Sequence, residues 1–403
     1  MTASTPPPAA GRVIADDAET LTVAAALAAE FRTGAAERDA ERRLPRAELD
    51  RLSASGLLAV TVPAEHGGAD VSQQTLAEMF RLLAAADPSL AQIPQSHFVY
   101  VNVLRRQGTS RQQKFFFGEV LAGRRFGNAQ SEAGTKHVQD IRTRLTPAPD
   151  GGRLLTGVKH CSTGALFAHW IPVLARADDD ELHVAYVPSD APGVRVVDDW
   201  DGMGQRTTAS GTVHLDAVPV PADRIVPHHL TFRGPQLHGA VAQLLHTAID
   251  VGIAAGALAE AADFVRTRSR PWFESGVDTA SEDPLLIQRF GELAVRVRAA
   301  EALLVTAARA VDTATGAGLN DENTAEASIA VAAAKAFAAE AAVEVAGALF
   351  EVAGTRSALD SLNLHRYWRD ARTHTLHDPA RWKIQHIGRY VLSGVRPPRH
   401  GLL

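Results

Sequence analysis

The run Arg153-Leu154-Leu155-Thr156-Gly157-Val158 decides the fold. It follows Asp150-Gly151-Gly152, a turn-forming triplet, and it carries no helical period. Ile171–Ala175, His183–Val187 and Thr212–Leu215 repeat the β-type pattern, with Asp178-Asp179-Asp180 as a second turn. Together they predict a central β unit of roughly 100 residues, spanning 125–233. Everything on either side reads as helix.

Upstream, residues 16–124 are periodic in threes and fours. Ala24, Leu27, Ala28 and Phe31 share one stripe, and Leu49, Leu52 and Leu57 follow Pro45. Ser72 stands where a helix N-cap belongs, ahead of Leu76, Met79, Phe80 and Leu83. Gly67-Gly68 marks a turn, and Asp87-Pro88 breaks the helical pattern. Residues 1–15, Pro/Ala-rich at their start, read as a mobile tail without the basic start and apolar run of a secretory signal. Downstream, residues 234–403 hold alanine-rich periodic runs at Val241–Thr267, Leu285–Thr313 and Asn323–Val352, plus a shorter one near Pro379–Leu392. These predict an antiparallel bundle whose small side chains allow close helix approach and subunit contacts.

The composition is that of an ordinary globular chain: 403 residues, 46% hydrophobic, 22% charged. A net charge of −5 argues against binding to nucleic acid or an anionic membrane, which needs a basic surplus. The single Cys161 excludes an intrachain disulfide and points to a reducing compartment; the expectation is a soluble, cytoplasmic protein.

No Gly-x-Gly-x-x-Gly follows a strand, no Gly-Lys-Ser loop is present, and no Gly-x-Ser-x-Gly elbow occurs. The densest histidine groups are His228-His229, His365 and His374-Thr375-Leu376-His377, none in a His-Glu-x-x-His frame, so no metal centre is expected. His374 and His377 stand before Asp378-Pro379, at a helix–loop junction. They read either as a capped, solvated corner or as imidazoles lining a cleft. Asn128, Gln130, Ser131 and Glu132 form one polar cluster after an apolar run, and Ser162, Thr163 and Gly164 another. Such clusters are either plain turns or a surface that presents hydroxyls and amides to a planar heterocycle.

Several stretches in order resemble the acyl-CoA dehydrogenase superfamily: Val62–Gly68, Ala84–Ala91 with Ala-Asp-Pro-Ser-Leu-Ala, Asp201–Gly211 followed by Val218-Pro219-Val220-Pro221, and Tyr367–Arg372. The resemblance implies an α+β fold with an N-terminal helical domain, a central β-barrel or sandwich and a C-terminal four-helix bundle, assembled as a homotetramer. Two departures stand out. The family's carboxylate base is absent from its usual loop, which reads His374–Pro379 with only Asp378 as an acid. The alternative base position offers Gln243, Leu244 and His246, and neither amide nor leucine is a general base. Where the family has Gln-Gly-Gly against the adenosine of FAD, this chain has Val352-Ala353-Gly354. The extra methyl favours FMN, with FAD as the alternative.

These departures are similar to those of the flavin-dependent monooxygenases of the superfamily, which include dibenzothiophene monooxygenases and sulfur-acquisition oxidoreductases. Lys159–Phe167, Arg266–Trp272, Ser281–Pro284 and His374–Pro379 carry that likeness. It implies that a separate flavin reductase supplies reduced FMN, that O2 forms a hydroperoxide on it, and that one oxygen atom passes to a small organosulfur or related compound. It further implies that Asn128 and Ser162, with Thr163 beside them, bond the reactive edge of the flavin and that Trp200 packs against it. Arg268, Arg270 and Arg369 would bind phosphate, and His377 with His97 and Tyr100 would line the substrate pocket and manage a proton. The other readings of these residues are packed helix edge for His97 and Tyr100, core aromatic for Trp200, and surface or ion pairing for the arginines. An acyl-CoA dehydrogenase with a displaced base and a catalytically silent family member remain as alternatives.

Overall fold

The computed structural model describes residues 12–149 and 151–403; the expected tail over residues 1–11 lies outside them. Residues 12–15 are not tail-like. Ile14 is buried in the main core, and the Arg12 carbonyl lies against Gly56.

Seven helices precede the sheet: α1 Asp17–Arg32, α2 Ala35–Glu41, α3 Arg46–Ala54, α4 Gln73–Ala86, α5 Pro88–Gln92, α6 Gln95–Gln107 and α7 Ser110–Leu121. Ser72 caps α4 by accepting the Thr75 amide, and Leu76, Met79, Phe80 and Leu83 form its buried stripe. Seven strands follow: β1 Arg144–Pro147, β2 Arg153–Lys159, β3 Trp170–Arg176, β4 Leu182–Pro188, β5 Val194–Val197, β6 Thr212–Val220 and β7 Ile225–Val226. They form one sheet in the order β5-β6-β2-β1-β3-β4-β7, antiparallel except where β1 meets β3. Alternation sorts its side chains. Ile171, Val173, Ala185 and Val187 join one core with Leu155 and Val213, while Leu174, Val184 and Tyr186 face the aromatics of α6 and α7.

The last layer is α8 His238–Arg268, α9 Pro284–Gly316, α10 Asp321–Ala353, α11 Arg366–Thr375 and α12 Ala380–Ser393. By length and composition α8 could cross a membrane, but 89% of its most apolar window is buried inside the protein. Its apolar surface is the centre of the bundle. The core continues from α8, α9 and α10 into α1 and α4 without a break. Gly252 and Gly256 make this possible: a Cβ would stand 2.5 Å from the Arg81 carbonyl at the first and 2.6 Å from the Ala85 carbonyl at the second.

A buried ion pair fixes the junction between α4 and α5. Arg38, almost inaccessible on α2, donates from Nε and Nη2 to Asp87 Oδ2 at 3.1 and 2.9 Å. The other oxygen, Oδ1, accepts the amides of Ser89 and Leu90 and so starts α5 behind Pro88. A second buried pair holds the loop before β1: Lys159 Nζ donates to Glu132 Oε1 at 2.7 Å, and Glu132 also accepts from the amides of Arg142 and Thr143. Burial raises the Glu132 pKa, but the hydrogen bonds from Lys159 and Thr143 outweigh it and bring the carboxyl to about 2.

Asp87→Ala should cost about 1.5–3 kcal/mol, because Arg38 loses its charge-assisted hydrogen bonds to Asp87 and of its carboxylate partners keeps only Glu48 at 3.1 Å, while Ser89 and Leu90 lose their cap; urea unfolding measures this, and a loss under ~1 kcal/mol would deny the pair its role. A depressed carboxyl contributes stability that is complete above the ordinary Glu range and lost as pH falls through the folded value. Unfolding of Glu132→Gln across acidic pH should therefore show a flatter loss of stability between about pH 4.5 and 2 than the parent chain.

Candidate active site

The turn after β2 presents the first functional group. Lys159 ends the strand, Cys161 takes a left-handed φ of 53°, Gly164 follows at 77°, and Ala165–Phe167 closes as a 3-10 turn. Gly127 must be glycine here, since a Cβ would lie 2.8 Å from Ala165 Cα. Ser162 is held by its backbone: its amide donates to the Gly211 carbonyl at 3.0 Å, and its carbonyl accepts from Ala165. Its Oγ, fully buried, has no hydrogen-bond partner among the described residues. A buried hydroxyl left unmade costs roughly 1–3 kcal/mol, so the position suits a bound polar ligand edge. Thr163 is different. Its Oγ1 bonds Ser210 Oγ at 2.7 Å, which bonds Thr208 Oγ1 at 2.8 Å, so it belongs to a closed hydroxyl chain.

Asn128 lies between two bridges to β3, half-buried, and its Oδ1 accepts from the Tyr100 hydroxyl at 3.4 Å. Burial raises the Tyr100 pKa well above its ordinary value, which keeps the phenol a neutral donor. The structure thus brings Tyr100 and Asn128 together. His97 is corrected: its Nδ1 accepts the Phe126 amide at 3.1 Å, and its Nε2 donates to the Leu58 carbonyl at 2.9 Å. Burial drops its pKa to about 4. With both nitrogens engaged by backbone, the ring ties α6 to the chain around it, and it lines a cavity with Ile93, Phe126 and Gly164. The Trp200 indole donates to the Gln205 carbonyl at 3.0 Å and packs across Gly202, closing the loop before β6.

Arg369 is also corrected. Its guanidinium donates to Asp39, Asn363 Oδ1, the Met203 carbonyl and His365 Nδ1, so every donor is spent holding α11 to α2 and to the loop after Trp200. No phosphate could take them without breaking that lattice. Arg268 and Arg270, by contrast, are exposed and have no ion-pair partner among the described residues. Ala353 is buried at the end of α10, where its carbonyl accepts from Ser269.

The bundle supplies the second half. His374, in the last turn of α11, is fully buried, and its Nδ1 meets Asp250 Oδ1 at 2.5 Å. Lys335 Nζ meets the other carboxylate oxygen at 2.7 Å. Burial raises the Asp250 pKa, but Lys335 and then His374 outweigh it and leave it below the ordinary value. Burial lowers His374 against the pull of Asp250. A neutral His374 beside an ionised Asp250 carries its hydrogen on Nδ1. Its Nε2 faces His246 Nδ1 and Gln92 Oε1, each at 3.1 Å. Burial, then the charges of His377 and His374, hold His246 well below its ordinary value. His377 sits just past α11, half-exposed, with its ring stacked on His246 at 4.0 Å between centroids. Asp378 is no base: burial opposes ionisation, but His377 and Lys383, the latter at 2.7 Å, drive its pKa far down.

Sequence reasoning named His246 without giving it a role and missed Asp250, Lys335 and Gln92. The available signal was a single base, Lys335, inside the alanine-rich α10, and the four-residue spacing of His246 and Asp250 on α8.

The two halves meet at one segment. The Pro88 carbonyl accepts from Gln205, Gln92 touches His374, the Ile93 carbonyl lies against Gly164, and Gln95 donates to the Ala242 carbonyl on α8.

Family models described as the N-terminal, middle and C-terminal domains of acyl-CoA dehydrogenase match residues 18–124, 126–218 and 244–382. A dibenzothiophene monooxygenase of Rhodococcus erythropolis is 34% identical over 399 residues, covering 95% of each chain. The crystal structure of FMN-bound TdsC from Paenibacillus sp. A11-2 superposes with a TM-score of 0.90 at 34% identity, over 95% of this chain and 100% of that one. Methanesulfinate monooxygenase MsuC of Pseudomonas fluorescens gives 0.87 at 31%, over 95% and 99%. The chain belongs to the acyl-CoA dehydrogenase superfamily, within its branch of flavin-dependent monooxygenases.

Proposed function

We propose that this chain is the oxygenase of a two-component system that uses reduced FMN, supplied by a separate flavin reductase, to oxygenate a small organosulfur compound. The observation that carries the reading is that the two stretches where the family keeps its carboxylate base, Gln243–His246 on α8 and His374–Pro379 after α11, bring the stacked rings of His246 and His377 together and hold Asp378 in an ion pair with Lys383. The names of relatives that act on dibenzothiophene and methanesulfinate support the substrate class, and the FMN bound to TdsC supports the cofactor. Asp378 and Asp250, each held ionised against a lysine with its pKa lowered, are weak bases, which disfavours the acyl-CoA dehydrogenase reading.

Reduced FMN would activate O2 so that one oxygen atom enters the substrate and the other leaves as water while the flavin is oxidised. The protein's share is to bind, orient, keep water out and move a proton. Ser162 Oγ, unpartnered and buried, offers a hydrogen bond to the ring edge, while Thr163 anchors the turn that carries it. Asn128, oriented by Tyr100, stands as the second polar contact, and Trp200 as an aromatic wall. Arg268 and Arg270 have guanidinium forks free for phosphate. His377 holds the proton for the departing oxygen. Homotetramer formation would cover Leu285, Ile287 and Val295 on α9 and Val391 and Leu392 on α12, all exposed. A cytoplasmic location would fit the single cysteine.

Stopped-flow mixing of the protein with reduced FMN and O2 in the presence of an organosulfur compound tests the reading: oxygenated product should form, and reduced flavin should bind in preference to FAD. His377→Ala should abolish product while reduced FMN still binds and is consumed with release of hydrogen peroxide; unchanged product would remove its role. Ser162→Ala should leave thermal stability equal or slightly raised, since the hydroxyl has no partner among the described residues, but weaken FMN binding about 2–13-fold, the worth of one hydrogen bond. Calorimetric titration checks this, and unaltered affinity would displace Ser162 from the site.

A further inference from the structure

Asp250 and Lys335 form an ion pair with no exposed surface, deep in the bundle, a placement that rarely adds net stability over an apolar pair. What the pair touches is more telling. Asp250 Oδ1 faces His374 Nδ1, His374 Nε2 faces His246 Nδ1, and His246 Nε2 has no hydrogen-bond partner among the described residues. The charged, titratable and amide groups around this line are Lys335 of α10, Gln92 of α5, Gln243 of α8, His377 and Asp378 after α11, and Lys383 of α12.

We propose that Asp250 and Lys335 are positioning residues that fix the hydrogen of His374 on Nδ1, so that His374 and His246 form a two-step proton relay opening at Nε2 of His246. A proton arriving at that nitrogen is matched by the one leaving His246 Nδ1 for His374 Nε2; Asp250 Oδ1 then faces the Nδ1 hydrogen of the resulting imidazolium, and Gln92 Oε1, at 3.1 Å, accepts the hydrogen newly held on Nε2. The reverse movement returns it. Only N–H bonds form and break, and the proton number of the pair changes by the one admitted. Lys335 sets the balance, because its charge disfavours a second positive charge on His374 and keeps the relay empty until a proton is delivered. The use of this proton in oxygen transfer rests on the function proposed above; the locked tautomer does not.

Solid-state nitrogen NMR of flavin-free protein labelled with 15N-histidine, with His374 assigned by its loss in His374→Gln, reads the lock directly. The parent chain should show His374 hydrogenated at Nδ1, and Asp250→Asn should redistribute it. In the same variant, product per reduced FMN consumed should fall by up to ~10⁴-fold, the loss seen when a carboxylate that fixes a catalytic imidazole's tautomer becomes an amide, and Asp250→Glu should restore part of it. Lys335→Met should move the acid limb of the rate profile to higher pH by roughly one unit or more, since removal of the nearby positive charge favours the imidazolium. If Lys335→Met does not fold, the double variant Asp250→Asn, Lys335→Met removes both charges together and should show the redistributed tautomer. An unchanged tautomer in Asp250→Asn, or a uniform drop in rate at every pH in Lys335→Met, would overturn the proposal. Failure of the parent chain to oxygenate any organosulfur compound would refute the function instead, and the nitrogen spectra would still decide the lock.

Discussion

The pairing of Arg38 with Asp87 governs how the three layers meet. One carboxylate oxygen neutralises a guanidinium with almost no exposure, and the other stops α4 and starts α5. Everything after that turn is placed by it: Gln92 against His374, the Ile93 carbonyl against Gly164, Gln95 against α8. A slip of one residue in α5 would swing these groups by about 100° around the helix and uncouple the serine turn from the histidines. Burial raises the Asp87 pKa in spite of Arg38, so the segment is held by a carboxylate that ionises at some cost. That cost is borne by the continuous apolar core of α1, α4, α8, α9 and α10.

Small residues give that core its shape. Gly252 and Gly256 bring α4 close to the middle of α8, and the alanines of α10 let it lie beside α8 along its length. Close approach also leaves little room for water around Asp250, which strengthens its hold on Lys335 and His374. The same feature that makes the helices apolar therefore makes their few charges directional. His377, by contrast, keeps part of its ring exposed beyond α11, where a substrate could reach it.

Much of this was legible in the sequence. The runs at Arg153, Ile171, His183 and Thr212 became β2, β3, β4 and β6 because β3 and β4 bury apolar side chains on both faces, while β2 and β6 bury theirs in part-alternation. The two- to four-residue strands β1, β5 and β7 carry too little pattern of their own and exist through their neighbours. The end of helix α11 was legible in Asp378-Pro379 after His374, but its extent was not, since it is rich in Arg and His and is stabilised by Asp39, Asp250 and the Gly204 loop around it. In the candidate site, the contact between Tyr100 and Asn128 joins two residues that the sequence had suggested for different tasks. The bonding of His97 and Arg369 was not legible, because a histidine or arginine identity says nothing about which backbone groups will claim its donors. The charges that matter most in the bundle, Asp250 and Lys335, look in sequence like stray polar residues on an alanine face.

The proposed use of imidazoles where the family uses a carboxylate would follow from what each reaction asks of a proton. Removing hydrogen from carbon requires a strong acceptor that starts empty, and a desolvated carboxylate serves. Releasing an oxygen atom as water requires a group that can give a proton as well as take one near neutrality, and that must be reset each cycle. An imidazole has both a donor and an acceptor nitrogen, and two in line can move a proton without moving an atom of the backbone. Such a line works only if its hydrogens point one way. In this fold the direction is set at the buried end, by a carboxylate that cannot rotate away from Lys335, and it is read out at the exposed end by the stacked rings of His246 and His377.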